Sequence, residues 1–170
     1  GGKSSRMGRD KSRIRLGRRT LLGYARAAVA DAGLKPRVVA ADLKPGLGPL
    51  GGIATALRSA QHSRVLFVGC DMPFLSGELI NEFLGAVADG AGPMFTLQQR
   101  GFGFPFVLSR TDLALVEEQI ARDVLSLQRL AKRLKARCWR PAEERERELF
   151  NLNTTVDLAE ARRRIRGEGC

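Results

Sequence analysis

The 170-residue chain has one histidine, one tryptophan, one tyrosine and three cysteines. With so few ligands, a His/Cys zinc site is not expected: His62 stands alone, and Cys70, Cys138 and Cys170 form no CxxC pair. Three widely spaced cysteines also argue against a disulfide scaffold, so reduced thiols and a cytoplasmic location are expected. No run of about 18 apolar residues is present, so no membrane-spanning helix and no membrane partner are expected. An apolar stretch of the kind that drives secretion is missing from the first residues. Aromatics make up only 6% of the chain. They do not alternate with basic residues as they do where bases stack, so no nucleic-acid partner is expected.

What the chain does have is positive charge: 29 Lys and Arg against 18 Asp and Glu, a formal net charge of +11. Such a balance suits an anionic partner. Much of it falls in the stretches 128–137 and 161–166, where helical spacing makes solvated faces the simpler reading. Hydrophobic content of 44% and charged content of 28% are ordinary for a globular protein. A single domain over residues 1–170 is expected, with no internal repeat and no linker.

Apolar spacing predicts a helix over 17–34, ending near Gly33, and a short buried strand over 37–41 leading to Asp42. A helix is expected over 51–60. The run RVLFVG at 64–69 reads as a strand buried on both faces. Ser76 caps a helix to about Val87, and strands are expected over 93–97 and 102–108. Ser109 with Asp112 and Thr154 with Asp157 form capping boxes, opening helices to about Arg122 and Arg166. A further helix covers about 126–134. Strands alternating with helices indicate an α/β protein with a mostly parallel, mixed central sheet.

Four segments carry chemistry. The opening GGKSSRMGRDK combines glycines, which let a backbone approach a ligand closely, with Lys3, Arg6 and Lys11. Free N–H groups and positive charge together suit a polyphosphate. A loose basic arm has the same composition. Gly2-Lys3-Ser4 matches the tail of a Walker A motif, and VLFVGCD resembles a Walker B strand. A Walker A, however, launches an apolar helix at once, whereas the residues here stay polar, which favours a long loop over a nucleotide. Gly46–Gly52 is a second glycine-rich loop opening a helix, whose N–H groups could meet a phosphate or a base edge, or simply make a tight turn. Asp71 ends the best strand, where ligands of open α/β sheets bind, and could hold Mg²⁺ or cap the turn before Pro73. Asn151 and Asn153 alternate on one side of an extended segment and could contact a polar heterocycle.

Taken in order, GGKSSRMGRDK, GPLGGI, VGCDMPFL and FNLNT…DL resemble the molybdenum cofactor guanylyltransferases, the MobA-like branch of the nucleotidyltransferases. Related cytidylyltransferases share the plan but usually open on Ala-Ala-Gly, which tilts the choice toward GTP. The resemblance implies a Rossmann-like three-layer fold and transfer of GMP from GTP to the molybdopterin-bound cofactor, releasing pyrophosphate. It implies Lys11, Arg6 and Asp71 as catalytic residues, with Asp71 holding Mg²⁺. On the nucleotide side it implies Gly1, Gly2, Lys11, Asp42, Gly48, Pro49, Leu50, Gly51 and Asp71. Asn151 and Asn153 match the pterin-binding asparagines. Partners implied are GTP, the molybdenum cofactor, and cofactor-biosynthesis proteins or acceptor molybdoenzymes, for a monomer or weak oligomer. The pattern differs in two places. It has a first strand ahead of the glycines, and two strands where this chain has only RVVAAD. A CTP-dependent or nucleotide-sugar transferase, a P-loop NTPase and a basic nucleic-acid-binding domain are the competing readings.

Overall fold

A computed structural model describes residues 11–39 and 46–167. In chain order, a 3-10 turn (Lys11–Arg13) precedes β1 (Arg15–Leu16), β2 (Arg19–Thr20) and α1 (Leu21–Asp31). Then come α2 (Gly48–Arg58), β3 (Arg64–Phe67), α3 (Gly77–Ala88), β4 (Met94–Gln98) and β5 (Gly101–Ser109). A 3-10 turn (Arg110–Asp112) leads into α4 (Leu113–Ala121), α5 (Leu127–Arg133) and β6 (Arg137–Trp139). A third 3-10 segment (Glu143–Leu149) precedes α6 (Thr155–Arg166). None of the described helices is long and apolar enough to cross a membrane.

Two compact units emerge: one takes in Arg37–Val68 and Phe83–Arg140, the other the described parts of Ser4–Pro36, Gly69–Glu82 and Pro141–Cys170. The first is built on a four-stranded sheet ordered β3-β5-β4-β6. Period-2 alternation sends its side chains to two faces. Phe95, Phe106 and Leu108 face the core formed with Leu50, Ile53 and Leu57 of α2, Val116 of α4 and Leu130 of α5. Met94 and Val107 face the other way, onto Phe83 and Val87 of α3. Helices therefore cover both faces of the sheet. Phe67, Phe106 and Phe95 stack across three strands, with centroids 4.8 and 4.5 Å apart. Each fully buried side chain of this size contributes roughly 1.5–3 kcal/mol.

The sheet is mixed, as the sequence indicated. Among the described residues β4 pairs with β6 in parallel, while β5 runs antiparallel to both β3 and β4, so parallel pairing is not the majority. The reason is connectivity: β4 and β5 are joined by two residues, a link that only an antiparallel pair allows. A bulge opposite Phe95 and Thr96 absorbs Phe104 and Pro105. Proline, lacking an N–H, is tolerated there. Thr96 Oγ1 donates to the Pro105 carbonyl at 2.7 Å, and Gln98 Nε2 donates to that of Phe104 at 2.9 Å.

Three expectations change. Arg37–Val39 is neither strand nor buried, with Val38 at 42% exposure. Its β-branched residues have no ladder partner among the described residues, and Ala40, Ala41 and Asp42 lie outside them. Val65, Leu66 and Phe67 of β3 are half-buried and Arg64 is exposed, because the strand stands at an end of the described sheet. The first helix begins at Leu21, since Gly17, at φ +60°, turns a small hairpin before it.

The second unit has its own core of Leu16, Leu21, Leu152 and Ala161, with Ile14, Tyr24, Phe74, Phe150 and Leu158 around it. Thr20 caps α1 by accepting the Gly23 N–H at 3.0 Å. Gly33, at φ +79°, follows the helix end as expected. Gly77 sits against the end of α1, where a Cβ would meet the Ala32 nitrogen at 2.7 Å.

Candidate active site

Lys11 opens the 3-10 turn whose carbonyl accepts the Ile14 N–H at 3.0 Å, and Ile14 packs into the second unit's core. The lysine is thus held by buried neighbours although it lies early in the chain. Its Nζ donates to Asn153 Oδ1 at 2.8 Å and lies 4.0 Å from Asp71 Oδ2. The Lys11 and Asp71 side chains are only 19% and 25% exposed. Three residues spread over the chain therefore meet around one ammonium group.

The main chain fixes this meeting. Leu152 N–H donates to the Asp71 carbonyl at 2.8 Å, so the FNLNT segment is laid alongside the segment that follows β3. Leu152 is fully buried, which turns Asn151 and Asn153 to the opposite side, as their alternation implied. Asn151 Nδ2 donates to the Leu149 carbonyl at 3.0 Å. Upstream, Arg145 reaches Glu148 at 2.9 Å, Glu78 at 3.7 Å and Glu82 at 3.6 Å, tying the third 3-10 segment to the start of α3. Arg164 of α6 lies over the Phe150 ring, 4.5 Å from its centroid, and 5.6 Å from that of Phe74. A cation over a ring at this distance is worth roughly 0.5–1 kcal/mol where exposed.

Burial pushes the Asp71 carboxyl above its ordinary value, while the Lys11 charge and a backbone hydrogen bond pull it down less. A second cation beside this oxygen would favour its ionised form. Among the described residues no group of three or more His, Cys, Asp or Glu could hold a metal by themselves. A hard cation using one carboxylate together with phosphate oxygens needs no such group.

The other expected site residues divide in two. Gly48, Pro49, Leu50 and Gly51 form the first turn of α2, in the first unit. Leu50 and Gly51 are buried, Leu50 wholly, so the Leu50 side chain serves the core. No side chain caps this helix start, which leaves backbone N–H groups as what the turn can offer. Gly1, Gly2, Arg6 and Asp42 lie outside the described residues. The sequence placed Lys11 with phosphates and Asn153 with a heterocycle; their direct bond, across 142 residues, has no local signal.

Residues 36–138 match the family model of the MobA-like NTP transferase domain, which is more than half of the chain. The chain belongs to the MobA-like NTP transferase family. Lys11, Asn151 and Asn153 lie outside the matched stretch, and Asp71 lies within it. The molybdenum cofactor guanylyltransferase of Syntrophotalea carbinolica is 30% identical over a 190-residue alignment, covering 99% of this chain and 90% of that protein. The molybdenum cofactor guanylyltransferase of Xanthomonas euvesicatoria is 39% identical over 94 residues. That match covers 49% of this chain and about half the length of the relative. The crystal structure of molybdopterin-guanine dinucleotide biosynthesis protein A from Archaeoglobus fulgidus is similar with a TM-score of 0.77. It is 18% identical, and the match covers 98% of this chain and 96% of that one. The fold is thus the Rossmann-like α/β fold of nucleotidyltransferases.

Proposed function

We propose that this protein transfers GMP from GTP to the molybdenum cofactor, giving the guanine dinucleotide form and pyrophosphate. The observation that carries the reading is the contact of Lys11 with both Asn153 and Asp71. It joins a phosphate-neutralising cation, an amide suited to a pterin and a carboxylate suited to a metal–phosphate group. Similarity to the molybdenum cofactor guanylyltransferases of Syntrophotalea and Xanthomonas supports the same activity.

In this reading an oxygen of the pterin's terminal phosphate forms a bond to the α-phosphorus of GTP. The bond from that phosphorus to the bridging oxygen breaks, and pyrophosphate leaves with the electron pair. No covalent protein intermediate is required. Lys11 neutralises charge that builds on the phosphates, and Asn151 and Asn153 orient the pterin. Arg6 adds a second cation, and the backbone N–H groups of Gly48–Gly51, in the first unit, are a separate nucleotide-binding proposal. Pre-placed donors and charges of this kind are worth several kcal/mol each, roughly. Asp71 is the residue that would hold Mg²⁺, which supplies electrostatic stabilisation to phosphate oxygens when bound. The half-buried carboxyl, raised by burial, fits such a role because a cation would offset its desolvation. We place the reaction in the cytoplasm, with GTP and the molybdenum cofactor as the small-molecule partners.

The test is incubation of the protein with GTP, Mg²⁺ and the molybdenum cofactor, following pyrophosphate and the dinucleotide product. Stoichiometric pyrophosphate supports the reading. Free phosphate in its place would point to β–γ cleavage and overturn it. Competition by CTP, UTP or ATP as strong as by unlabelled GTP would overturn the assignment of the base.

A further inference from the structure

We propose that Asp157 is a positioning residue for this transfer, acting through Asn153 on Lys11; the proposal rests on the functional reading above. A capping box uses its acidic side chain to hold the N–H of the cap residue alone. Asp157 does more. Its Oδ2 accepts the Thr154 N–H at 2.7 Å and also the Asn153 N–H at 2.8 Å, one residue ahead of the helix. Its own N–H donates to Thr154 Oγ1 at 3.1 Å, which completes the box.

The bond to Asn153 is surplus to the needs of α6. Its effect lies upstream. Asn153 is fixed from one side by the buried Leu152, whose N–H is bound to the Asp71 carbonyl. Asp157 fixes it from the other. The carboxamide between these two anchors then holds Lys11 Nζ at 2.8 Å, within 4.0 Å of Asp71. The anionic side chain also sits in the first turn of a helix, where the macrodipole favours it, so the two bonds are charge-assisted. Without the carboxylate, Asn153 keeps only the anchor at Leu152, and its carboxamide no longer holds the lysine in a fixed place.

Two substitutions separate cap from site. Thr154→Ala removes the Oγ1 acceptor and weakens α6, but leaves both bonds to the Asp157 carboxylate. Asp157→Ala weakens α6 to a similar degree and frees Asn153. Below the melting range of both, Asp157→Ala is expected to lower kcat by about ten- to a hundredfold, the order set by misplacement of a reacting group by about 1 Å. Thr154→Ala should stay within about twofold. Asp157→Asn keeps an acceptor oxygen in place and should show the same signs at smaller amplitude; it carries the test if the alanine variant does not fold. Equal losses in Thr154→Ala and Asp157→Ala would reduce Asp157 to a helix cap and overturn the proposal. The side-chain amide resonance of Asn153 in the ligand-free protein gives a readout independent of turnover. It should move in Lys11→Ala and Asp157→Ala and stay in place in Thr154→Ala. If the wild type makes no pyrophosphate, the functional reading fails, and an Asn153 signal unmoved by Asp157→Ala then overturns the positioning role as well.

Discussion

Replacing Lys11 by alanine removes one ammonium group with two near neighbours, and the consequences can be worked out separately. Toward Asp71 the charges stand 4.0 Å apart with both side chains mostly covered. At an effective dielectric near 20, such a pair interacts by about 4 kcal/mol, and residual exposure screens part of this. The same ammonium would face the triphosphate as charge develops. Loss of one preorganised donor of this kind costs about 2.7–4 kcal/mol of transition-state stabilisation, or roughly 10²–10³ in turnover. Asn153 Oδ1 also loses its donor, at a cost of about 1 kcal/mol in stability. In a chain of this size that lowers the melting temperature by roughly 2–4 °C. Finally, the Asp71 carboxyl loses the charge that pulls it down, so it rises further and the acid limb of the rate profile moves to higher pH. The assay is pyrophosphate release at saturating GTP across a pH series, with Lys11→Arg as the variant that keeps charge. An unchanged rate and pH profile in Lys11→Ala would remove the lysine from the chemistry.

Asp71→Asn should abolish Mg²⁺-dependent transfer yet raise the melting temperature at neutral pH. Because burial raises the folded carboxyl, the folded state keeps a proton that the unfolded state has lost over the window between the two values. Stability therefore falls as pH rises through that window, and the amide escapes the penalty. Melting curves from pH 3 to 8 check this, and a variant less stable than wild type at pH 7 would contradict it. Leu152→Ala opens a cavity under the two asparagines and should cost about 2–5 kcal/mol, seen as a lower urea midpoint. An unshifted midpoint would mean that the residue is not buried as described. Gly77→Ala drives a Cβ to 2.7 Å from the Ala32 nitrogen and should destabilise by about 1–3 kcal/mol in the same assay.

Features written in neighbouring residues were legible in the sequence. Both capping boxes, Ser109 with Asp112 and Thr154 with Asp157, form as read, because each needs only four consecutive residues. The apolar periodicity of α2, α3 and α5 and the runs of β3, β4 and β5 likewise survive in place. Elements defined by a distant partner were not legible. The strand β6, Arg137–Trp139, has only three residues and exists by parallel pairing with β4. The apolar Arg37–Val39 looks like a strand but has no such pairing among the described residues. At the site, residue types marked Lys11, Asp71 and Asn153 individually. Their meeting depends on Leu152 reaching the Asp71 carbonyl, a backbone bond that carries no sequence signature.

The helix α6 shows how unevenly the second unit is held together. Of its twelve residues only Ala161 is buried, and its exposed face relies on Glu160 pairing with Arg163 and Arg164. A helix with so little apolar anchorage belongs among the first segments to open, well before a sheet covered on both faces. Its first turn begins two residues after Asn153. Warming would therefore loosen the site while the sheet stays intact, and salt that screens the exposed arginine–glutamate pairs would add a small amount to this. Amide exchange at Asn153 and Asp157 should accordingly run ahead of exchange in β4 and β5, and the working temperature of the protein would be set by one surface helix.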